Sequence, residues 1–421
     1  MAEFEIPYGR DALAFALPDL YSVHVLSPAP LPTASDPARA VCDALDHPVG
    51  PVRLEDFKSA RSVAIAINDK TRPVPLALLL PPLLERLTAL GIAAEAITCM
   101  IATGTHAPMP AEAFGEVLPL PILAQYRVVS HDCNDKANLV YRGETTRGTP
   151  VWLNRTLVEA DLRIAVGNLE PHQFMGFSGG VKAPVIGLAG RETINRNHSM
   201  MMDPRSRIAR YEDNPMRQDV EEMGDLAGIH FALNALLNEN KQLVAALAGA
   251  PRAVMAQGVP RVLELYRVRV AEPFDLMITS PGGHPKDINL YQAQKALAHG
   301  SFVTRKGGTV ILVAACPEGT GSRAYEEWIR DKTSHQEVLA QFKQEGFRIG
   351  PHKAFQLARD SVRERVLMVT DMPSDFVKSL LLTPCKSLDA ALALGLADLK
   401  PGARIGILPY ANATIPELIA G

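Results

Sequence analysis

Short runs of apolar residues, each ending in a polar or glycine-rich turn, recur along the chain. Continuous apolar runs of this length indicate strands buried on both faces, as in a parallel sheet. Helical patterns lie between them, for example at 75–90 and 288–300. This alternation predicts an α/β protein. The runs, each taken with its turn, cover 62–69, 96–106, 161–172, 274–285, 308–321, 365–371 and 403–411.

A change of pattern near 265–273 divides the chain. The helical segment APRAVMAQGVPRVLELYRV ends there, and a new series of strands begins at Phe274. We therefore predict two domains, 1–268 and 269–421, each with a mainly parallel sheet flanked by helices. In open α/β sheets, ligands bind beyond the carboxyl ends of the strands, which is where the polar turns lie.

Composition and charge narrow the class. The chain has 421 residues, of which 47% are hydrophobic and 21% charged, and its formal net charge is −3. These values are typical of a globular protein and do not indicate a nucleic-acid partner. The apolar runs are too short to span a bilayer, and the N-terminus lacks a signal-peptide pattern. Five scattered cysteines without a CxxC pair favour a reducing cytoplasm and argue against a disulfide frame or a zinc–thiolate site.

Three histidines follow predicted strands or lie near a glycine-rich turn. His106 closes ATGTH, His172 closes NLEPH, and His198 lies in TINRNHSMM. Any one alone is more often an ordinary loop residue, but three in such places argue against coincidence. They form neither HxxxH nor HExxH, so a hydrolytic zinc site is not indicated.

Other polar residues follow strands or share a helix face. Arg72 in NDKTRP could bind a carboxylate or phosphate, and Asp69 could orient it; a solvated arginine is the alternative. On the predicted helix at 288–300, Tyr291, Gln292 and Lys295 share a face. That face could bind an anion near the helix start, or could simply be solvated.

The stretch LEPHQFMGFSGGVK places a flexible turn directly before a lysine. The Gly-Gly turn could let a ligand come close to the backbone. Lys182 could be a charge, a nucleophile or a point of covalent attachment. The motif is neither GxxxxGK[ST] nor GxGxxG, so a P-loop or a standard dinucleotide fold is poorly supported, and an ordinary turn stays open.

Taken together, the motifs resemble the lactate racemase family of nickel-pincer enzymes. NDKTRPVP, ATGTH, GNLEPHQFMGFSGGVK, TINRNH and PGGHPKDINLYQAQKAL occur in the family's order and at family-like spacing. The resemblance implies a two-domain α/β protein with its active site between the domains. Val181 and Ile186 depart from the family's usual residues, which points to a divergent branch.

The resemblance also implies a cofactor and residue roles. The cofactor would be a nickel-pincer nucleotide (nickel pyridinium-3,5-bisthiocarboxylic acid mononucleotide). Lys182 would be joined to it through a thioamide beside Ser178, Gly179 and Gly180, and His198 would bind nickel. His106 and His172 would be the acid/base pair. The implied substrate-binding residues are Arg72, Tyr291, Gln292, Lys295 and, less directly matched, Asp69.

The function predicted on this basis is racemisation or epimerisation of a 2-hydroxy acid, lactate-like or larger. Passing the C2 hydrogen as hydride avoids a carbanion beside the carboxylate, and a planar 2-keto acid can take it back on either face. Two histidines meet the need for a base on each side of C2. The partners implied are the substrate and the enzymes that make the cofactor.

Two alternatives stay open. A nicotinamide-dependent 2-hydroxy-acid dehydrogenase is one, although the absence of GxGxxG counts against it. A non-catalytic binder of the nickel nucleotide is the other, although paired histidines count against it because storage needs none.

Overall fold

The computed structural model describes residues 1–28, 32–238 and 241–419. The chain divides into two compact units. Pro30–Leu265 forms one, here called the middle unit. Met1–Ala29 and Tyr266–Gly421 together form the other, here called the terminal unit. The units therefore differ from the predicted domain 1–268, because the N-terminal segment belongs with the C-terminal half of the chain.

The strands confirm the α/β pattern, since every predicted apolar run contains one. In chain order they are β1 Ala2–Tyr8, β2 Asp11–Leu17, β3 Ser22–Val25, β4 Val63–Asn68, β5 Ile97–Ala102, β6 Arg127–Ser130, β7 Leu139–Glu144, β8 Pro150–Asn154, β9 Leu162–Asn168, β10 Pro171–His172, β11 Gly176–Phe177, β12 Phe231–Leu237, β13 Leu243–Gly249, β14 Arg267–Val270, β15 Phe274–Thr279, β16 Thr304–Val313, β17 Arg365–Val369, β18 Thr383–Cys385, β19 Arg404–Leu408 and β20 Ile415–Leu418.

The helices alternate with these strands. In chain order they are α1 Pro37–Asp46, α2 Leu76–Ala89, α3 Leu120–Gln125, α4 Arg155–Glu159, α5 Arg191–Ser199, α6 Pro215–Ala227, α7 Pro251–Tyr266, α8 Leu290–Phe302, α9 Arg323–Ile329, α10 His335–Glu345, α11 Pro351–Ser361, α12 Ser374–Ser379 and α13 Leu388–Leu396. Both helices predicted at 75–90 and 288–300 are confirmed, as α2 and α8.

The middle unit is built on a six-stranded sheet of order β13-β12-β9-β4-β5-β6. All neighbours run parallel except the pair β12 and β13. One face packs against α1 and α2, whose leucines and valine join the strand side chains in one apolar core. Strands β4, β5 and β9 are buried almost throughout, which explains their continuous apolar sequences.

The terminal unit has an all-parallel sheet of order β18-β17-β16-β15-β19-β3. Strand β3 pairs with β19, with Ser22 opposite Arg404, so the N-terminal segment completes this sheet. The β1–β2 hairpin packs Ile6, Phe15 and Leu17 into the core on one face. These contacts are the physical reason why Met1–Ala29 belongs to this unit.

Within the described residues, the helices are all too short or too polar to cross a membrane.

Candidate functional site

The strand order of the middle unit reverses between β4 and β9. From β4 the chain moves through β5 to β6 on one side of the sheet, whereas β9 is followed by β12 and β13 on the other. In open α/β sheets, such a switch point at the carboxyl ends of the strands is where ligands bind. Asp69 and Arg72 directly follow β4, and the segment from His172 to Lys182 follows β9.

Asp69 and His106 form a hydrogen-bonded pair at this edge. His106 Nδ1 lies 2.6 Å from Asp69 Oδ2, while the backbone N–H and the hydroxyl of Thr71 donate to Asp69 Oδ1 over 3.2 and 2.7 Å. Asp69 is buried, which by itself raises the pKa of its carboxyl, but the bonds from His106 and Thr71 outweigh burial and lower it. The carboxylate is therefore ionised and can only accept hydrogen bonds, so a neutral His106 carries its proton on Nδ1 and presents the lone pair of Nε2.

Nδ1 of His172 accepts a hydrogen bond, whereas Nδ1 of His106 donates one. His172 lies in the short hairpin β10–β11, and the backbone N–H of Met175 donates to His172 Nδ1 over 3.2 Å. Because Nδ1 accepts in this contact, the proton of a neutral His172 is on Nε2. The two histidines thus differ in chemistry: His106 presents a basic nitrogen, and His172 presents an N–H donor.

The hairpin that bears His172 requires glycine at position 176, where β11 begins. Gly176 has φ +75°, and a Cβ at this position would lie 1.7 Å from the carbonyl oxygen of Arg210. No side chain can be accommodated at that distance. The loop containing Arg210 therefore packs directly on the hairpin backbone.

His198 lies near the end of α5 and is linked to His172 through an aromatic ring. The Phe174 ring contacts both imidazoles edge-on, with centroids 4.7 Å from His172 and 5.8 Å from His198. Burial, then the positive charges of Lys182 and Arg72, lowers the pKa of His198 to about 3. His198 is consequently a neutral imidazole near neutral pH, the form that binds a metal ion.

The Ser178-Gly179-Gly180 turn is shaped by protein neighbours. Gly179 and Gly180 have φ +89° and +58°, a region that favours glycine. A Cβ at Gly179 would lie 3.0 Å from Asn234 Oδ1, and one at Gly180 would lie 3.0 Å from a nitrogen of Arg217. The interpretation that these glycines serve close approach of a ligand is thus incomplete, because protein atoms already require both.

Two residues that the sequence did not reveal hold this turn. Arg217 on α6 is fully buried, pairs with Glu221, and donates to the carbonyl oxygens of Phe177 and Gly179 over 3.1 to 3.3 Å. Asn234 on β12 accepts from the backbone N–H of Gly180 over 2.8 Å. A buried arginine has no sequence signature within the amphipathic pattern of α6, so only the tertiary structure reveals it.

Lys182 follows the turn and is 9% exposed. Its backbone is helical, and a single π-helical turn, Ala183–Gly187, begins directly after it. The backbone N–H of Gly104, in the ATGTH loop, donates to the carbonyl oxygen of Gly187 over 2.9 Å. This bond connects the segment that positions Lys182 to the loop that positions His106.

The remaining predicted residues lie on α8 of the terminal unit. Asn289 caps this helix by accepting from the backbone N–H of Gln292, and Lys295 Nζ donates to Gln292 Oε1 over 2.8 Å. The Tyr291 hydroxyl lies 3.4 Å from His352 Nε2. Tyr291, Gln292 and Lys295 thus share a face, as their spacing predicted.

A buried lysine that the sequence did not indicate lies beside that face. Lys353 on α11 places Nζ 4.3 Å from the centroid of the Tyr291 ring and 3.3 Å from Gln294 Oε1. Burial lowers the pKa of Lys353, and the positive charges of Lys295 and Arg359 add to the effect. Tyr291 is therefore fixed by contacts to its hydroxyl and to its ring.

The predicted residues fall into two groups. Asp69, Arg72, His106, His172, Ser178, Gly179, Gly180, Lys182 and His198 lie at the switch point of the middle unit or beside it, and Tyr291, Gln292 and Lys295 lie on α8 of the terminal unit. Across the described ranges, no group of three or more His, Cys, Asp or Glu side chains is arranged to hold a metal ion.

These features define a class: an α/β protein with a carboxylate-bonded histidine, a second histidine and a buried lysine at the switch point of a largely parallel sheet. Known families match both halves of the chain. Residues 8–209 match the family model of the lactate racemase N-terminal domain, and residues 270–415 match that of the lactate racemase C-terminal domain. The chain belongs to the lactate racemase family and is an isomerase.

Individual relatives span nearly the whole chain. A lactate racemase from Thermoanaerobacterium thermosaccharolyticum is 31% identical over 418 residues, covering 97% of this chain and 98% of its own. One from Lactiplantibacillus plantarum is 30% identical over 373 residues, covering 87% and 88%.

Two solved structures are similar to this chain in fold. The lactate racemase apoprotein from T. thermosaccharolyticum superposes with a TM-score of 0.92 at 31% identity, covering 99% of this chain and all of its own. A crystal structure of a Thermotoga maritima protein, 18% identical, has a TM-score of 0.64 over 91% of this chain and 97% of its own, and shows a shared fold alone.

Proposed function

We propose that the protein racemises or epimerises a 2-hydroxy acid, lactate-like or larger, by reversible transfer of the C2 hydrogen as hydride. One observation carries the proposal: the Asp69–His106 pair lies at the same switch point as His172 and the buried Lys182, in a chain of the lactate racemase family. Lactate is the first substrate to test because both relatives described above are named lactate racemases.

The residues at the switch point fit a nickel-pincer nucleotide. Lys182 offers a buried amine that could carry the group through a thioamide, and His198 is a neutral imidazole that could bind nickel. Ser178 adds a buried hydroxyl whose oxygen has no hydrogen-bond partner among the described residues. When bound, such a group supplies the reversible hydride acceptor at C2.

The protein's own residues handle protons and orientation. Nε2 of His106 takes the proton from the C2 hydroxyl, because Asp69 holds the other ring nitrogen in its protonated form. His172 Nε2–H donates a hydrogen bond to the oxygen that becomes the carbonyl. Release of His172 Nδ1 from Met175 would let the ring gain and lose a proton.

Substrate binding requires cations near the carboxylate. Arg72 lies close enough to Asp69 and His198 to influence both electrostatically, and its planar guanidinium suits a bidentate carboxylate contact. Tyr291, Gln292 and Lys295 are proposed substrate-binding residues on α8. Lys295 supplies the cationic group of that set.

A chiral screen tests the proposal. Protein produced together with the cofactor-making enzymes is incubated with single enantiomers of lactate, malate and larger 2-hydroxy acids, and both enantiomers are then quantified by chiral chromatography. We expect inversion without any added diffusible cofactor. If protein whose Lys182 peptide has gained the cofactor mass inverts none of these acids, the proposed function is refuted.

The fate of the C2 hydrogen separates hydride transfer from deprotonation. A hydrogen that leaves as hydride returns to a substrate skeleton, whereas one placed on a histidine nitrogen exchanges rapidly with water. Substrate deuterated at C2 should therefore keep most of its label in ordinary water. Loss of label at the rate of inversion would reject hydride transfer.

The two alternatives have simple tests. A nicotinamide-dependent dehydrogenase would change the absorbance of added NAD when a 2-hydroxy acid is present, and we expect no change. Inversion by the loaded protein would exclude a non-catalytic binder.

A further inference from the structure

Two buried oxygen atoms at the switch point have no hydrogen-bond partner among the described residues. They are Oδ1 of Asn168, whose side chain is 3% exposed, and Oγ of Ser178, which is 5% exposed. Buried polar atoms in proteins are nearly always paired, because an unpaired one loses its hydration without compensation. Two of them at one binding edge are positions where a bound group can supply the missing partners.

The orientation of the Asn168 amide is fixed by its neighbour. Its Nδ2 donates to the carbonyl oxygen of Pro73 over 2.7 Å. A carbonyl oxygen can only accept, so the NH₂ end must face Pro73 and Oδ1 must be the end left over. The site therefore presents an acceptor at Asn168 and requires a donor from whatever binds there.

Asn168 and Ser178 belong to the same small region. Asn168 is the last residue of β9, and the backbone N–H of Ser178 donates to the carbonyl oxygen of Glu170 over 2.8 Å. The next residues along each segment also meet, since a Cβ at Gly179 would lie 3.1 Å from the Cα of Leu169. Both oxygens thus border the turn that leads to Lys182.

We propose that Asn168 binds the ribose of the nucleotide, with Oδ1 accepting a hydrogen bond from a ribose hydroxyl and Ser178 Oγ bonding to a neighbouring sugar oxygen. This inference rests on the proposed function for the identity of the ligand. The choice of the ribose follows from which groups of a nicotinate-type ribonucleotide can donate a hydrogen bond. The phosphate and the ring carboxylates are anionic acceptors, and the pyridinium nitrogen carries no hydrogen. Apart from the thioamide N–H formed with Lys182, the ribose hydroxyls are the donors that remain.

An anion at Asn168 is disfavoured by the same geometry. Phosphate or carboxylate oxygens would face the negative end of the amide dipole, and the NH₂ group that could attract them is committed to Pro73. The Asn168 subsite therefore recognises the sugar hydroxyl, in contrast to a positively charged subsite, which would recognise the phosphate.

The test is a binding cycle on protein made without the cofactor-making enzymes. The probe is nicotinic acid mononucleotide, compared by calorimetric titration with its 2′-deoxy and 3′-deoxy analogues, in the wild type and in Asn168→Ala. Removing one hydroxyl should weaken binding to the wild type by about three- to tenfold, the usual size of one neutral hydrogen bond. The Asn168→Ala variant should bind nicotinic acid mononucleotide more weakly by a similar factor. It should also bind this nucleotide and the deoxy analogue that the wild type binds more weakly with equal affinity.

Matched variants check that the effect is local. Ser178→Ala gives a second cycle at the other oxygen, which decides the outcome if Asn168→Ala does not fold. Ser130→Ala is the control, because Ser130 ends β6 at the same edge of the sheet but its hydroxyl already accepts from the backbone N–H of Met109 over 2.9 Å. Its affinity for every probe should equal that of the wild type.

Three results would overturn the inference. They are equal binding of all three nucleotides by the wild type, undiminished discrimination by Asn168→Ala together with Ser178→Ala, and no binding of nicotinic acid mononucleotide at all. The proposed function fails separately. A protein that shows the predicted coupling but inverts no 2-hydroxy acid would reject the racemase proposal alone.

Discussion

Asp69→Asn tests the tautomer argument for His106 directly. In the wild type, Oδ1 of Asp69 accepts two hydrogen bonds from Thr71, and Oδ2 accepts from His106 Nδ1. In the asparagine variant, the remaining oxygen should stay with the two Thr71 donors. The new NH₂ group then faces His106, Nδ1 must accept, and the imidazole proton moves to Nε2, where the base should be.

The size of the effect distinguishes this mechanism from simple loss of a contact. A lost neutral hydrogen bond costs about 0.5–1.5 kcal/mol, or roughly two- to twelvefold in rate. A lost general base costs about 10²- to 10⁴-fold. We therefore expect the rate of inversion by Asp69→Asn to fall at least about 10²-fold, which corresponds to about 2.7 kcal/mol at 1.36 kcal/mol per factor of ten.

The assay is the initial rate of inversion by chiral chromatography, normalised to the fraction of protein whose Lys182 peptide carries the cofactor mass. Thr71→Val is the control. It removes the hydroxyl donor to Asp69 Oδ1 but leaves the contact with His106, so its rate should stay within about tenfold of the wild type. If Asp69→Asn keeps more than about a tenth of the wild-type rate at equal loading, His106 is not a base oriented by Asp69.

Four further predictions follow from individual side chains. Lys182→Arg should fold but fail to gain the cofactor mass on co-expression with the cofactor-making enzymes; a gain elsewhere in the chain would move the attachment site. His198→Ala should lower bound nickel, measured by metal analysis, without changing the far-ultraviolet circular dichroism; unchanged nickel would exclude it as the ligand. Gly176→Ala should lower the melting temperature and the activity, because its Cβ would overlap the Arg210 carbonyl, whereas Gly115→Ala, with open space around it, should do neither. Burial raises the pKa of Glu364 to about 7 from an ordinary 4.5, so the folded state holds this proton more tightly than the unfolded chain, and the free energy of unfolding should decrease as pH rises through that interval. In denaturant titrations, Glu364→Gln should flatten this decrease. An unaltered pH dependence would contradict the assignment.

The sequence predicted the buried strands well because a parallel sheet covered on both faces leaves a continuous apolar signal. Strands β4, β5 and β9 were readable for that reason, and the polar residues at their ends marked the binding edge. The helix face of Tyr291, Gln292 and Lys295 was readable because residues three and four apart share a side. In each case, local spacing alone carried the information.

The parts that the sequence did not reveal depend on distant contacts. Nothing near Arg217 indicates that its guanidinium lies under the turn before Lys182, since helix α6 is separated from that turn by the whole of α5. The opposite tautomers of His106 and His172 were equally hidden. They depend on Asp69 and on the Met175 backbone, and sequence shows neither which ring nitrogen is engaged nor the direction of the bond.

The pairing of β3 with β19 has a consequence for biosynthesis. Ser22 leaves the ribosome long before its partner Arg404. The middle unit is complete in sequence long before that partner is made, so it can fold co-translationally while the N-terminal segment stays unpaired. A chain begun at residue 266 would lack both this edge strand and the β1–β2 hairpin, and its sheet would expose an apolar face and an unpaired edge to aggregation.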